Sequence, residues 1–463
     1  MDDAPSYFFC GIGGSGMLPL ASIIRASGAE VAGSDRALDQ GRTEAKFGWL
    51  AAQGIDLYPQ DGSGLRPGQI LVASAAVEDN VPDIRKAKEL GLERKTRPEL
   101  LASLFNAAEN GIGVAGTSGK STVTGMTGWI LHARGCAPTI VNGAVMKNFA
   151  DADAPWASAV GGDGSAFVSE IDESDGSIIL FEPDIAILNN VSLDHKSMEE
   201  LRLLFGDFLA KARVAIVNAD DAECRRLASI VDSDKLYRFS LGEQQAELRA
   251  RDIEEAPTSV SFTVREAHGE GLRATLRVPG RHNVANALAA IAAARAVAIP
   301  LADAVEAVGG FAGLGRRFDI LGERGGVSVI DDFGHNPDKV AATLKTLHAF
   351  PGRLLVFFQP HGYGPLRQMG NELIASFVGN LAGEDILILC DPVYFGGTTD
   401  RSVGSEAIVA GVEDAERHAE HIAERAACGD RLVELARPGD RIVVMGARDD
   451  SLSAFARDVL ERL

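Results

Sequence analysis

Gly111-Ile112-Gly113-Val114-Ala115 followed by Gly116-Thr117-Ser118-Gly119-Lys120-Ser121-Thr122 is the stretch that decides the fold. A short apolar run of strand length ends on glycine, and the helix-like VTGMTGWILHARG follows it. Glycines at such a junction let the backbone come close to phosphate, and the first N–H groups of the helix face it. The lysine reaches β- and γ-phosphates, while the next hydroxyl can ligate Mg²⁺. The longer pattern with a glycine five residues before Gly119 fails, because position 114 is Val114, so the match is to the shorter G-T-x-G-K-[ST] form. A plain helix-capping turn is the bland alternative; the strand–loop–helix setting favours a nucleoside triphosphate site. A loop lysine of this kind adds little to a core, so Lys120→Ala is expected to leave the fold unchanged.

A triphosphate site needs acids for its metal, and they lie downstream. The strand-like SAFVSE ends in Glu170, and IAILNN ends at Asn189 and Asn190, shortly before Asp194 and His195. Side chains at the carboxyl ends of parallel strands project into the ligand crevice. Glu170 fits a Mg²⁺ ligand. His195 is an unusual one and is equally a loop-structuring histidine. Asp172, Glu173 and Asp175 read as a solvated acidic turn.

Two similar starts flank this one. Tyr7–Cys10 leads into Gly11-Ile12-Gly13-Gly14-Ser15-Gly16, and Leu354–Phe358 leads into QPHGYG. Short Val/Ile/Leu/Phe runs alternate with Ala-rich amphipathic stretches throughout, the rhythm of parallel sheets covered by helices. The fold class is therefore α/β with three domains: a Rossmann-like one at 1–108, a central phosphate-loop ATPase domain with a parallel sheet at 109–312, and a second Rossmann-like one at 313–463. The polar, alternating stretch 245–275 reads as a small antiparallel hairpin at a subdomain edge. The first loop fits G-x-G-x-x-G, and Asp35 stands nineteen positions after Gly16 at the end of the strand-like AEVAGSD. A dinucleotide, another nucleotide and a structural glycine turn all remain open there, although the loop chemistry suits a diphosphate.

The 463 residues carry 45 Lys+Arg against 65 Asp+Glu, a net charge of −20. That balance disfavours nucleic acid and anionic membranes, whose phosphates need a basic face. Five cysteines form no CxxC pair and read as reduced thiols of a cytoplasmic protein. The amino terminus has no leader-like pattern, and no apolar run reaches membrane-spanning length.

GIGGSGM, GTSGKST, SEIDESD, the Asn-Asn and Asp-His pairs, GRHNVANALAA, GRRFD and IDDFGHNP occur in this order along nearly the whole chain. In that order they resemble the Mur ligases. The amino-terminal form is most similar to the branch joining UDP-N-acetylmuramate to L-alanine, and to the branch attaching a recycled tripeptide to the same sugar nucleotide. The resemblance implies a UDP-sugar domain, a central ATPase and an amino-acid domain. It implies that ATP phosphorylates the lactyl carboxylate and that the amine of an amino acid or short peptide then attacks the acyl phosphate, in a monomer or homodimer. It assigns catalysis to Lys120, Glu170 and His195, and Mg²⁺ to Ser121, Glu170 and His195. ATP falls to Gly116, Thr117, Ser118, Gly119, Lys120, Ser121, Thr122 and Asn190, with His282, Asn283 and Asn286 at adenine and Arg317, Asp332 and His335 from the third domain. Gly13, Ser15, Gly16, Asp35 and Ser74 would line the uridine diphosphate site. Ala210 stands where some relatives carry a modified lysine, as is usual in the alanine-adding branch.

One loop departs from the pattern. Alanine-adding relatives carry arginines after the third-domain strand that fix the acceptor's carboxylate. Here two of those positions are Gly362 and Pro365, and only Arg367 survives. Arg448 has arrived after the strand-like RIVVM. Arg367 and Arg448 are therefore the expected carboxylate clamp, with a roomier peptide site as the alternative.

Overall fold

The computed structural model describes residues 5–74, 77–193, 196–242, 245–267, 269–393, 400–447, 449 and 451–463. Each strand–glycine start founds its own sheet. The first sheet holds β1 (Ser6–Cys10), β2 (Glu30–Ser34), β3 (Asp56–Tyr58), β4 (Ile70–Ala73) and β5 (Glu93–Thr96) in the order β3-β2-β1-β4-β5. All its pairings are parallel. Parallel neighbours need crossovers, which the helices Met17–Ala26, Glu44–Ala52 and Pro82–Glu89 supply. The strand order turns at β1, so the first glycine loop opens at a switch point, where such sheets take ligands.

The central sheet contains β6 (Asn110–Ala115), β7 (Thr139–Val141), β8 (Ala159–Val160), β9 (Ala166–Glu170), β10 (Ile185–Leu188), β11 (Val214–Asn218), β12 (Leu236–Ser240), β13 (Leu248–Ala256), β14 (Ser259–Glu266) and β15 (Leu272–Leu276). Their order is β15-β14-β13-β12-β11-β10-β6-β9-β7-β8. β6 lies between β10 and β9, parallel to both, and its apolar residues are fully buried. The stretch expected as a small antiparallel hairpin is one, β14 with β15, and with β13 it forms the edge of this sheet. Along β14 only every second residue is buried, Val260, Phe262 and Val264, so the sequence reads as polar although one face is core. The Ala-rich helix Arg281–Ala296 is buried along most of its length and packs on the helix Lys120–Ala133. Small side chains let the two axes come close.

The third sheet holds β16 (Asp319–Arg324), β17 (Val327–Asp332), β18 (Leu354–Gln359), β19 (Ile386–Leu389), β20 (His418–His421) and β21 (Arg441–Gly446) in the order β16-β17-β21-β18-β19-β20. Only β16, at the edge, runs antiparallel to its neighbour. The chain divides into two compact units, the first reaching Gly313 and the second running from Leu314 to Leu463. All five cysteines are free thiols. Among the described residues no helix is long and apolar enough to cross a membrane.

Candidate active site

The loop after β6 is held from below by side chains of the next strand. Asn190 accepts from the Ser118 N–H at 2.8 Å and donates to its carbonyl at 2.9 Å, while the Asn190 carbonyl accepts from Thr117 N–H at 3.1 Å. The Thr117 hydroxyl spans to the Ser192 backbone. Gly116 and Gly119 have φ of 131° and 82°, and a Cβ on Gly119 would lie 2.7 Å from Asn189 Nδ2 and 2.8 Å from Asn286 Oδ1. Only glycine fits there. The helix Lys120–Ala133 has no side-chain cap, so its first N–H groups face the loop as an anion-binding end.

Two polar pairs occupy the start of that helix. Lys120 Nζ donates to Glu173 Oε2 at 2.7 Å and lies 3.9 Å from Asp172. Burial works against the ammonium, but Glu173 and Asp172 outweigh it and raise the Lys120 pKa. Burial likewise pushes Asp172 up, and Lys120 with the Ser174 N–H reverses this and lowers it. Glu173 is 4% exposed. The acidic turn is therefore not simply solvated: Asp175 is exposed, but Glu173 is buried as the counter-ion of the loop lysine. The second pair is Ser121, whose Oγ donates to Glu170 Oε2 at 2.7 Å. Asn142 supports it from beneath, donating to the Ser121 carbonyl at 2.9 Å. Gly143 leaves room for the carboxylate, since a Cβ there would lie 2.1 Å from Glu170 Oε1. Thr122 lies half-buried one residue further on.

Asn286 reaches this loop rather than standing apart from it. Asn189 Nδ2 donates to Asn286 Oδ1 at 2.9 Å and to the Ser118 carbonyl at 3.2 Å, and Asn286 Nδ2 donates to Asn283 Oδ1 at 3.0 Å. Asn283 and Asn286 are buried, whereas His282 is exposed at the helix start. Asn286 thus supports the loop, because the packing of the two helices sets it against Gly119. His195, with Asp194, lies outside the described residues.

In the first domain, Asp35 is committed to the backbone. Its Oδ2 accepts from Gly13 N–H and its Oδ1 from Ala37 N–H, each at 2.8 Å. It fixes the glycine loop and caps a helical turn. Two cations missed in the sequence lie beside that loop: Lys46, which donates to the Gly13 carbonyl at 3.2 Å, and Arg97, whose side chain lies against Gly16. Ser15 is exposed in the loop, and Ser74 is exposed just after β4.

In the third domain, Asp332 at the end of β17 is buried and accepts from Phe318 N–H, Gly334 N–H and the Thr343 hydroxyl. Arg317 lies 4.2 Å from the centre of the Phe333 ring. His335 bonds the Phe333 carbonyl at 2.9 Å, and its ring contacts that of His361. Burial, then Lys339, drive His335 down to about 4. Of the expected clamp, Arg367 is exposed and turned to Asp400, 3.7 Å from its carboxylate, and Arg448 lies outside the described residues. A further arginine, Arg425, stands at the strand ends. It pairs with Asp449 at 2.7 Å, approaches Gln359 at 3.3 Å and donates to Ser451 at 2.9 Å. Burial raises Asp449, but Ser451, Gln359 and Arg425 outweigh it and hold the carboxyl low.

Three family models cover the chain: Mur ligase family, catalytic domain, at residues 6–109; Mur ligase middle domain at 114–294; and Mur ligase, glutamate ligase domain, at 316–448. The chain belongs to the Mur ligase family. It is similar to the UDP-N-acetylmuramate–L-alanine ligase of Geobacter sulfurreducens, with 33% identity over 95% of this chain and 94% of that one. It is 34% identical to the enzyme of the same name from Pelotomaculum thermopropionicum, over 97% and 96%. Its fold matches a UDP-N-acetylmuramate-alanine ligase of Thermotoga maritima with a TM-score of 0.79 and 24% identity, over 99% and 98% of the chains. A murein peptide ligase of Psychrobacter arcticus matches with a TM-score of 0.70 and 22% identity, over 99% and 98%.

The donor set of this Mur ligase fits a magnesium nucleotide. Ser121 and Glu170 offer hard oxygens side by side, Lys120 offers a charge, and the uncapped helix offers N–H groups. Arg425 has a signal that the sequence carries but does not announce: it follows a strand of the third sheet by a few residues, at the crevice end.

Proposed function

We propose that this Mur ligase uses ATP and Mg²⁺ to join the lactyl carboxylate of UDP-N-acetylmuramate to the amine of L-alanine, a step of peptidoglycan precursor synthesis. The observation that carries this reading is full-length identity of about a third to enzymes of that name, together with an intact phosphate site. A carboxylate acylates poorly, whereas an acyl phosphate has a leaving group whose charge a cation and a lysine absorb.

Mg²⁺-ATP, when bound, supplies the phosphoryl group and neutralises charge at the γ-phosphate. Ser121 and Glu170 would hold the cation. Lys120 would turn from Glu173 towards the γ-phosphate, already charged because its carboxylate neighbours keep it so. The N–H groups from Gly119 onward would bind phosphate oxygens, in a loop shape that Asn190 sets. The glycine loop of the first domain, with Lys46 and Arg97 beside it, suits the diphosphate of the sugar nucleotide. Arg425 is the third-domain group best suited to an acceptor carboxylate, because it stands at the strand ends with only some of its N–H donors engaged, by Asp449, Gln359 and Ser451.

The second reading is the same ligation with a peptide acceptor. It is favoured by Gly362 and Pro365 at the start of the helix Tyr363–Asn380 that follows β18, and by the turning of Arg367 to Asp400. Phosphate release from ATP with UDP-N-acetylmuramate and a panel of L-alanine, other amino acids and short peptides tests both. Release stimulated best by L-alanine supports the first reading, and release only with peptides supports the second. No stimulation by any acceptor overturns the ligase assignment.

A further inference from the structure

Three side chains that the proposed ligation does not use converge at one corner of the third sheet. Asp391 follows β19 by two residues, Glu406 stands in the first turn of the helix Ser405–Glu413, and His421 ends β20. The ring of His421 faces both carboxylates: Nε2 lies 2.8 Å from Asp391 Oδ1, and Nδ1 lies 3.8 Å from Glu406 Oε1. One donor atom from each residue lies within 4.8 Å of the other two. Buried contacts hold the three backbones in place. Parallel pairing sets His421 beside Leu389, and the Asp391 N–H donates to the Ala423 carbonyl at 3.1 Å. The wholly buried Ser405 donates from Oγ to the Cys390 carbonyl at 2.6 Å, which pins the helix start beside Asp391. Gly404 lets the Glu406 carboxylate fold back over that start, since a Cβ there would lie 2.2 Å from Oε2.

The charges of this corner do not balance. Among the described residues, His421 is the only cationic partner of either carboxylate. A protonated ring still leaves a surplus of one negative charge, whereas a divalent ion on the neutral ring cancels both carboxylates. One imidazole nitrogen with two carboxylate oxygens is a borderline donor set that suits zinc and its neighbours, while Mg²⁺ and Ca²⁺ prefer oxygen alone. Donors about 2.1 Å from one ion stand at most about 4.2 Å apart, so the widest pair must draw in slightly. Asp391 and Glu406 can do so by side-chain rotation, because their side chains are 49% and 65% exposed. We propose that Asp391, Glu406 and His421 form a site for a divalent transition-metal ion, zinc fitting best, that ties the helix Ser405–Glu413 to the ends of β19 and β20. The ion takes the place of the proton that His421 shares with Asp391. The site lies wholly within the third domain and does not rest on the reading of the ligation.

The test is calorimetric titration of the full chain with Zn²⁺ alone, without nucleotide, beside the variants His421→Gln and Glu406→Gln. Wild type should take up Zn²⁺ with micromolar or tighter affinity, in an equivalent that each variant weakens about tenfold or more. Even the loss of a partner outside the ligand shell costs a metal site roughly ten- to a hundred-fold. Zn²⁺ should also raise the melting temperature of wild type and leave that of His421→Gln unmoved. Where His421→Gln folds poorly, Glu406→Gln, altered only at an exposed side chain, carries the comparison. Co²⁺ in place of Zn²⁺ identifies the donors: nitrogen and oxygen ligands give d–d bands alone, whereas a cysteine ligand adds a thiolate charge-transfer band. Wild-type uptake weaker than micromolar, a loss below tenfold in both variants, or a thiolate band overturns the proposal. None of these results touches the ligase reading, which the phosphate-release assay decides.

Discussion

Lys120 and Glu173 meet at 2.7 Å across 53 residues of sequence, and the glutamate is almost wholly buried. The lysine expected to be dispensable for folding is therefore one half of a desolvated ion pair. Lys120→Ala should abolish acceptor-dependent phosphate release and also lower stability, because it strands a buried carboxylate at roughly 2–3 kcal/mol. Adding Glu173→Gln should recover most of that stability and none of the activity. Thermal melts alongside the release assay check both, and a single variant as stable as wild type would show that the pair contributes nothing to folding.

Glu170→Gln keeps the shape beside Ser121 but removes the charge that faces the cation. Turnover should fall at least ~100-fold, the scale of losing one electrostatic partner of the transition state. Raising Mg²⁺ should restore part of it. A normal rate, indifferent to Mg²⁺, would make Glu170 structural.

The phosphate loop, its strand and its helix are legible in the sequence because local rules fix them: a buried run, glycines where φ is positive, and an uncapped helix start. Glu170 is legible because it ends a strand. Glu173 is not, since a run of acids on a turn has the composition of a solvated surface, and only the approach of Lys120 from another element buries it. The Asn189–Asn286 contact is equally invisible: it exists because two small-residue helices pack closely enough to bring residue 286 under residue 119. Asp35 shows the reverse case. Its spacing suggests a ligand contact, while its acceptance of two backbone N–H groups, which shapes the glycine loop, carries no signal in the sequence.

Gly143→Ala tests whether the room beside Glu170 matters. A Cβ would sit 2.1 Å from Oε1, closer than atoms can approach, so the carboxylate must move away from Ser121. The apparent Mg²⁺ requirement should rise several-fold with little change in the melting temperature, since the strand-end backbone is not otherwise disturbed. An unchanged Mg²⁺ titration would place the cation elsewhere.

His335 makes the third domain sensitive to acid. Its folded value of about 4 lies below the ordinary 6.5, so below pH 6.5 the unfolded chain gains a proton that the folded one refuses. The penalty is absent above pH 6.5 and grows until about pH 4, where it reaches roughly 3 kcal/mol. Urea midpoints of His335→Gln should fall less than those of wild type across this window. Parallel curves for the two proteins would show that the imidazole is not held neutral.

The acceptor side separates two arginines. Arg367 is exposed and already answered by Asp400, so Arg367→Ala should leave the KM for the acceptor within about threefold. Arg425 stands at the carboxyl ends of the third sheet's strands, oriented by Asp449, Gln359 and Ser451. A small amino acid offers few handles, and its carboxylate must be paired if the amine is to be aimed. Loss of a charge-assisted contact costs roughly 1.5–3 kcal/mol, or about ten- to a hundred-fold in acceptor KM. Arg425→Ala should show that loss with the KM values for ATP and UDP-sugar nearly unchanged. Because Asp449 would then lose its partner, the Arg425→Lys variant serves as control: it keeps the charge near Asp449 but not the planar fork, so stability should return while acceptor KM stays raised. If both Arg425 variants bind the acceptor normally and Arg367→Ala does not, the carboxylate is held on the Asp400 side and the pairing seen there opens for substrate.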